Sequence, residues 1–208
     1  VARVIARPFK GGPGHFERKN SERKDYSLEP PAETLLDRLN TAGILTVGVG
    51  KIGDIFGHRG LTEEIHTRNN RHGIEATCEA MQRHRDGKGL IFTNLVEFDM
   101  LYGHRRDTEG YALALERFDE SLPQIIERMS PEDVLMITAD HGCDPTYMFH
   151  TDHTRDYVPM LVYGNTVKQG VALGIRDTFA DCGQTIADLL GAGTLLNGKS
   201  FKDDILCE

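Results

Sequence analysis

The sequence lacks the features that mark two common classes of protein. It has no Cys-x-x-Cys pair, because its four cysteines, Cys78, Cys143, Cys182 and Cys207, lie far apart. Neither a zinc ribbon nor a disulfide framework is indicated, and the cysteines are expected to be reduced thiols. It also has no basic excess. The formal net charge of −8 argues against a nucleic-acid surface.

Targeting and membrane signals are missing as well. No apolar run approaches the roughly 20 residues that a transmembrane helix needs, so we expect no membrane association and a cytoplasmic location. Residues 1–8 lack an initiator methionine, the charged-then-apolar design of a signal peptide and a transit-peptide composition. We therefore expect the chain to have been cut from a longer protein or to represent only part of one.

What is present predicts an α/β domain. With 208 residues and 39% hydrophobic content, the chain can bury the core of a single domain. Apolar runs predict strands, and apolar residues at helical spacing predict helices. The predicted strands are 43–49, 89–96, 134–138 and 159–163. The predicted helices are a short one after Pro31, 109–129 with a kink at Pro123, and 178–190, while 62–84 is helix-compatible. This alternation favours a mostly parallel sheet with helices on both faces.

The N-terminal stretch differs from the rest. Residues 1–27 are rich in Gly, Arg and Lys and show no sustained period, apart from an extended Val4-Ile5 pair. Pro30 and Pro31 mark a boundary, because proline suits the first turn of a helix and restricts the residue before it. We interpret residues 1–27 as the end of a preceding unit and residues 28–208 as the sheet domain.

Charged residues follow three of the predicted strands. Lys51, Asp99 and Asp140 each lie just past a carboxyl end, where ligands bind in open parallel sheets. His104 lies five residues after Asp99, and we expect Gly103 to let the backbone fold back and bring the imidazole near the carboxylate. His141 is adjacent to Asp140, so an irregular turn must hold both side chains on one centre.

These residue types predict a metal site. A later histidine, His150 or His153, adds a fifth ligand, and spacing alone does not separate the two. Mixed carboxylate and imidazole ligands suit Mn²⁺, Zn²⁺ or Fe²⁺, and five of them exceed what one open catalytic metal takes. Two metals about 3.5–4 Å apart can clamp the attacking and leaving oxygens of a phosphoryl transfer. Cys143 is a weaker candidate, because thiolate suits zinc more than manganese or magnesium.

Structural explanations compete with these functional ones. A single Asp-His pair on a loop is usually a solvated turn or a hydrogen-bonded pair, but three correlated placements favour a site. Residues 105–107 fit either a solvated ion-pair cluster or a set that orients the ligands. The run 48–51 is not a Walker loop, since Leu45 and Ile52 occupy its first glycine and its Ser/Thr positions. Lys51 can still meet a phosphate as a point charge.

On its motifs the chain resembles the phosphopentomutase family of the alkaline phosphatase superfamily. The matching blocks are residues 3–8, 50–55, 94–107 and 137–146 with 151–159. The resemblance implies the C-terminal half of an alkaline phosphatase-like core over residues 28–208. It also implies that residues 1–27 are the end of an α+β cap domain and its return link.

The resemblance also implies roles for individual residues. One manganese would be held by Asp140 and His141, and the other by Asp99, His104 and His153. His153 is favoured over His150 because it lies inside the matching block 151–159. Mg²⁺, Zn²⁺ or Co²⁺ could replace Mn²⁺. The positions that match contacts to the sugar phosphate or bisphosphate are Arg3, Arg18 and Lys51.

The implied activity is that of an isomerase. The family interconverts ribose 1-phosphate and ribose 5-phosphate, and the deoxyribose analogues, through a phosphothreonine that is primed by glucose 1,6-bisphosphate or a similar bisphosphate. The nucleophilic threonine and an aspartate ligand belong to an N-terminal segment absent from this sequence, so we expect the chain alone to be inactive. The alternatives are a related metal-dependent phosphatase, a cofactor-independent phosphoglycerate mutase, or a non-catalytic metal-binding fragment.

Overall fold

A computed structural model describes residues 3–19, 22 and 24–207, without the side chains of Arg3, Arg18 and Asp25. The strands are β1 (Arg3–Ala6), β2 (Phe9–Lys10), β3 (Glu17–Arg18), β4 (Lys24–Ser27), β5 (Leu45–Val49), β6 (Glu63–Ile65), β7 (Gly89–Thr93), β8 (Leu135–Thr138) and β9 (Met160–Tyr163). The α-helices are α1 (Leu35–Thr41), α2 (Ile52–Phe56), α3 (Asn70–Arg83), α4 (Thr108–Ile126), α5 (Ala180–Leu190) and α6 (Lys202–Ile205).

A three-stranded parallel sheet forms the centre of the fold. Its order is β6-β5-β7, with β5 in the middle. Val47 and Val49 on β5 are fully buried against Ala76 and Ala80 of α3. The near-continuous apolar run of β5 is what a strand covered on both faces requires, and its prediction from sequence is confirmed.

Helices cover both faces of this sheet, as expected. Ile91 of β7 points to the α3 side, whereas its neighbour Leu90 packs with Leu39 of α1 and Ala187 of α5. Successive residues of a strand point to opposite faces, so β7 is sandwiched between these two layers. The α/β class with helices on both faces is therefore confirmed.

The last two strands pair differently from those of the central sheet. β8 and β9 form a separate antiparallel pair. Their connection, residues 139–159, contains no helix, whereas parallel strands are usually joined by a helical crossover. Leu135 of β8 joins the cluster between α3 and α4, while Met136 contacts Cys182 of α5. β8 thus lies between the same two helical layers as β7.

Two details of the sequence prediction needed correction. Residues 62–84 are not one helix-compatible stretch, because β6 precedes α3. The Glu63 carboxylate pairs with Arg83, and the Glu64 carboxylate pairs with His58. These charged residues at the edge of the sheet interrupt the apolar pattern that would predict a strand. The predicted helix 109–129 is α4, which ends at Ile126 rather than at residue 129 and contains Pro123 in its last turn.

The N-terminal stretch contains more regular structure than its sequence indicates. The Val4-Ile5 pair lies in β1, which pairs antiparallel with β4. Inside this pair, β2 and β3 form a second antiparallel pair. Large apolar side chains are exposed here, with Val4 at 57% and Phe9 at 63% exposure. These strands therefore lack the alternation of buried and exposed residues by which a strand is recognised in a sequence.

Candidate metal centre

The chain beyond β7 winds into two tight turns that carry the first candidate ligands. A single turn of π-helix spans Phe98–Tyr102 and carries Asp99, and a 3₁₀ turn, Gly103–Arg105, carries His104. Gly103 has an ordinary φ of −58°, so backbone freedom is not why glycine is needed there. A Cβ on Gly103 would lie 2.4 Å from the Cys143 sulfur, so the glycine allows close packing instead. The left-handed residue that ends the turn is Arg106, with φ 56°.

Asp99, His104 and His153 come together beyond the carboxyl end of β7. Each offers one ligand atom, and the three atoms lie within 4.8 Å of one another. The Asp99 Oδ2 atom is 3.7 Å from His104 Nε2 and 3.8 Å from His153 Nε2. Ligands of one ion at about 2.0–2.2 Å are roughly 3–4 Å apart, so the spacing fits a shared metal better than direct hydrogen bonds.

A backbone carbonyl orients His104. Its Nδ1 lies 2.6 Å from the carbonyl oxygen of Thr151. A carbonyl can only accept, so Nδ1 donates the hydrogen, and in the neutral imidazole the lone pair is then on Nε2, which faces Asp99. Such a partner behind the imidazole fixes ring orientation in metal sites. Sequence analysis missed this contact, because a carbonyl on a distant loop leaves no side-chain signal.

His141 and Asp140 extend the group through stacked rings. The His141 and His153 rings have centroids 3.5 Å apart, and the His104 and His153 centroids are 5.0 Å apart. The Asp140 Oδ2 atom lies 3.5 Å from His141 Nε2. Burial, with the neighbouring His141 and His104, lowers the pKa of His153, which favours the neutral imidazole that metals bind.

Two other candidates lie outside this group. The His150 ring contacts Tyr147, with centroids 4.6 Å apart, and its Nδ1 accepts from the Asp152 amide at 3.3 Å. The Cys143 sulfur is 3.9 Å from His104 Nδ1, on the side away from Asp99. Burial raises the pKa of the Cys143 thiol, which disfavours the thiolate form that binds metal. The geometry therefore favours His153 as the late candidate.

The run 105–107 supports the site through its backbone contacts. Arg106 donates from Nη2 to the carbonyl oxygen of Met148 at 3.0 Å, which ties the 3₁₀ turn to the loop that leads to His153. Asp107 caps α4 by accepting from the Gly110 amide at 2.9 Å. These contacts favour an orienting role for Arg106 over a solvated ion pair.

The candidate phosphate contacts lie in three different parts of the chain. Lys51 is separated from β5 by Gly50 and directly precedes α2, and it is half-buried. Arg3 lies in β1 and Arg18 in β3, but their side chains are outside the described part of the structure. Because β5 and β7 are neighbouring parallel strands, Lys51 and Asp99 follow the same rim of the sheet.

Fold and site together define a class of protein: an α/β protein with a carboxylate and imidazole site at the carboxyl ends of its strands. The profile of the Metalloenzyme superfamily matches residues 12–194, and the chain belongs to this superfamily. None of the helices in the described ranges combines the length and the apolar character needed to cross a bilayer.

Several relatives carry the name phosphopentomutase. The chain is 55% identical to that of Caldanaerobacter subterraneus over 97% of its own length and 50% of the relative's. It is 52% identical to that of Clostridioides difficile over 99% and 52% of the two chains, and 56% identical to that of Thermotoga petrophila over 98% and 51%. The chain thus spans about half the length of these relatives.

A solved structure supports the fold. The structure of a protein from Pyrococcus horikoshii aligns with a TM-score of 0.60 at 18% identity, covering 85% of this chain and 49% of the other. At this identity the likeness concerns the fold alone.

Proposed function

We propose that the chain is the C-terminal half of a phosphopentomutase and carries most of its metal centre. The observation that carries this proposal is the convergence of Asp99, His104 and His153 from two separate segments. The name phosphopentomutase on relatives at 52–56% identity supports the choice of reaction within the superfamily. In the whole enzyme, ribose 1-phosphate and ribose 5-phosphate, or their deoxy analogues, would be interconverted.

The donor set fits two divalent ions. Asp99, His104 and His153 would bind one ion. Asp140 and His141 would supply some of the ligands of the other ion. Carboxylates and neutral imidazoles suit Mn²⁺, and Mg²⁺, Zn²⁺ or Co²⁺ are the alternatives. The chemistry that such a pair supplies is activation of a nucleophile and screening of charge on the transferring phosphoryl group.

The residues of this chain would bind and orient rather than attack. The Thr151 carbonyl keeps the His104 Nε2 lone pair on the ion side. Lys51, on the same rim of the sheet, would meet a phosphate as a point charge, and Arg3 and Arg18 would contact the sugar phosphate or bisphosphate. We propose that the nucleophilic threonine comes from the remaining half of the protein and is primed by glucose 1,6-bisphosphate or a similar bisphosphate.

The domain division follows from the same proposal. Residues 1–27, with their two antiparallel strand pairs, would be the end of a cap domain and its return link. Residues 28–208 would be the C-terminal part of the metal-binding core.

A chimera tests the reaction. The N-terminal half of the Caldanaerobacter subterraneus relative, fused to this chain, should convert ribose 5-phosphate to ribose 1-phosphate in the presence of Mn²⁺ and glucose 1,6-bisphosphate. The 208-residue chain alone should show no turnover. A chimera with Asp99→Asn serves as the control for the metal centre.

Three outcomes would contradict the proposal. Turnover of phosphoglycerate by the chimera, in place of pentose phosphate, would indicate a phosphoglycerate mutase, and release of inorganic phosphate would indicate a phosphatase. A folded chimera that binds Mn²⁺ but has no activity would favour a non-catalytic metal-binding fragment.

A further inference from the structure

The segment that leads from β7 to Asp99 lies along one face of α3. Three contacts join them in register. The Thr93 hydroxyl is 2.6 Å from that of Thr77, and Leu95 lies against Gly73, where a Cβ would come within 2.7 Å of its side chain. Residues 70, 73 and 77 share a helix face, so the three contacts lie on one side of α3. Residues 93–97 thus lie along one face of α3.

The third contact, at the C-terminal end of residues 93–97, is a reciprocal pair of hydrogen bonds. The backbone amide of Asn70 donates to the Glu97 carboxylate at 2.9 Å, and the backbone amide of Glu97 donates to the Asn70 side-chain oxygen at 3.1 Å. Each residue therefore satisfies the backbone of the other. We call this contact the Asn70–Glu97 clasp.

The clasp lies directly before the single turn of π-helix, Phe98–Tyr102, which we call the π-turn. Glu97 is the residue before this turn, and Asp99 comes two residues later. No residue of Phe98–Tyr102 is fully buried, so core packing alone does not hold the turn in place. A single turn of π-helix is uncommon, and hydrogen bonds at its ends contribute to its local stability.

We propose that Asn70 and Glu97 are positioning residues for the metal centre. Their clasp fixes the start of the π-turn on α3 and thereby aims the Asp99 carboxylate at His104 and His153. This inference rests on the metal centre proposed above. The clasp itself touches neither candidate ion and acts only through the backbone that carries Asp99.

Hydrogen exchange tests the clasp without any metal. In Asn70→Ala and Glu97→Ala, the amides of peptide 97–104 should exchange roughly tenfold faster than in the parent chain, because the clasp loses one of its two hydrogen bonds. Arg71→Ala is the matched control, since Arg71 neighbours Asn70 but its side chain is 87% exposed and pairs only with Glu75 among the described residues. Exchange in this control should match the parent chain.

Mn²⁺ affinity, measured by calorimetry under conditions where all variants are folded, tests the positioning role. Asn70→Ala and Glu97→Ala should bind Mn²⁺ about 10- to 100-fold more weakly, as expected when support behind a ligand is lost. Glu97→Gln keeps an acceptor for the Asn70 amide, so it should retain affinity within about threefold. A purely structural clasp would lower the urea midpoint but leave the affinity of the folded chain unchanged.

The results separate the two proposals. Unchanged exchange in peptide 97–104, or unchanged Mn²⁺ affinity in both alanine variants, would overturn the positioning role. If the parent chain binds no Mn²⁺, the proposed metal centre fails, and the positioning role that rests on it falls with it. The exchange data still decide separately whether the clasp holds the turn.

Discussion

The ion pair between Asp37 and Arg59 should make the free energy of unfolding depend on pH, and the size of this effect can be calculated. Asp37 caps α1 by accepting from the amide and hydroxyl of Thr34, and it also binds the Arg59 guanidinium at 2.7 Å. Arg59 in turn donates to the carbonyl oxygens of Pro30 and Ala32, so it ties the segment before α1 to the domain. The perturbation to test is Asp37→Asn.

The magnitude follows from the pKa of Asp37. The Arg59 hydrogen bond, followed by the bonds from Thr34, lowers this pKa from 3.8 to about 2 against the opposing effect of burial. The Asp37 side chain is 18% exposed, so solvent screens the pair only in part. A shift of this size contributes about 2 kcal/mol to the free energy of unfolding at neutral pH.

The direction of the pKa shift determines whether stability rises or falls with pH. A lowered carboxyl pKa adds stability above the unfolded value near 3.8, and this contribution disappears as the pH falls toward 2. About half of it should be gone at pH 3. The difference in unfolding free energy between the parent chain and Asp37→Asn should therefore shrink from pH 7 to pH 3.

Urea unfolding of both chains at pH 7, 5, 4 and 3 measures this difference. Glu33→Gln is a suitable control, because Glu33 pairs with Arg38 at the surface with 48% of its side chain exposed. Its effect on the free energy of unfolding should be small, because exposed ion pairs contribute little. A difference for Asp37→Asn that stays constant from pH 7 to pH 3 would refute the assignment of the low pKa to this ion pair.

Two further substitutions test the metal centre. Asp99→Asn should weaken Mn²⁺ binding by more than roughly 100-fold in calorimetry, because loss of an outer partner alone costs about 10- to 100-fold; the exposed Asp119→Asn on α4 is the control, and equal affinities would contradict the site. Arg106→Gly keeps a residue suited to φ 56° but removes the bond to the Met148 carbonyl. Exchange in residues 146–150 should then rise several-fold, and an unchanged rate would show that Arg106 does not hold this loop.

Much of the fold could be predicted from the sequence because burial leaves a pattern. β5 is nearly all apolar because it is covered on both faces, and the apolar residues at helical spacing that predict α1 include the buried Leu36 and Leu39. β6 could not be recognised, because an edge strand with Glu63 and Glu64 carries no such pattern. The antiparallel pairing of β9 with β8 depends on the path of residues 139–159, which no periodicity encodes.

The candidate site divides in the same way. Asp99 and His104 are close in sequence and each follows from the end of β7, so their proximity could be predicted. The approach of His153 depends on a long irregular loop, and spacing left His150 equally plausible. The structure brings His153 to Asp99 and His104, but the role of these residues as ligands stays a prediction until a metal is measured.

The irregular turns around Asp99 and His153 suggest why this site needs support from regular elements. Ligand atoms from separate segments must reach their proper distances to the ion to within about 0.2 Å, yet a π-turn and a helix-free loop have little burial to hold them. The supporting contacts come from backbone groups: the Thr151 carbonyl behind His104 and the Asn70 amide before Asp99. Backbone partners carry no side-chain signature. The precision of the site is therefore the property that sequence reasoning reaches least, even where it names the ligands.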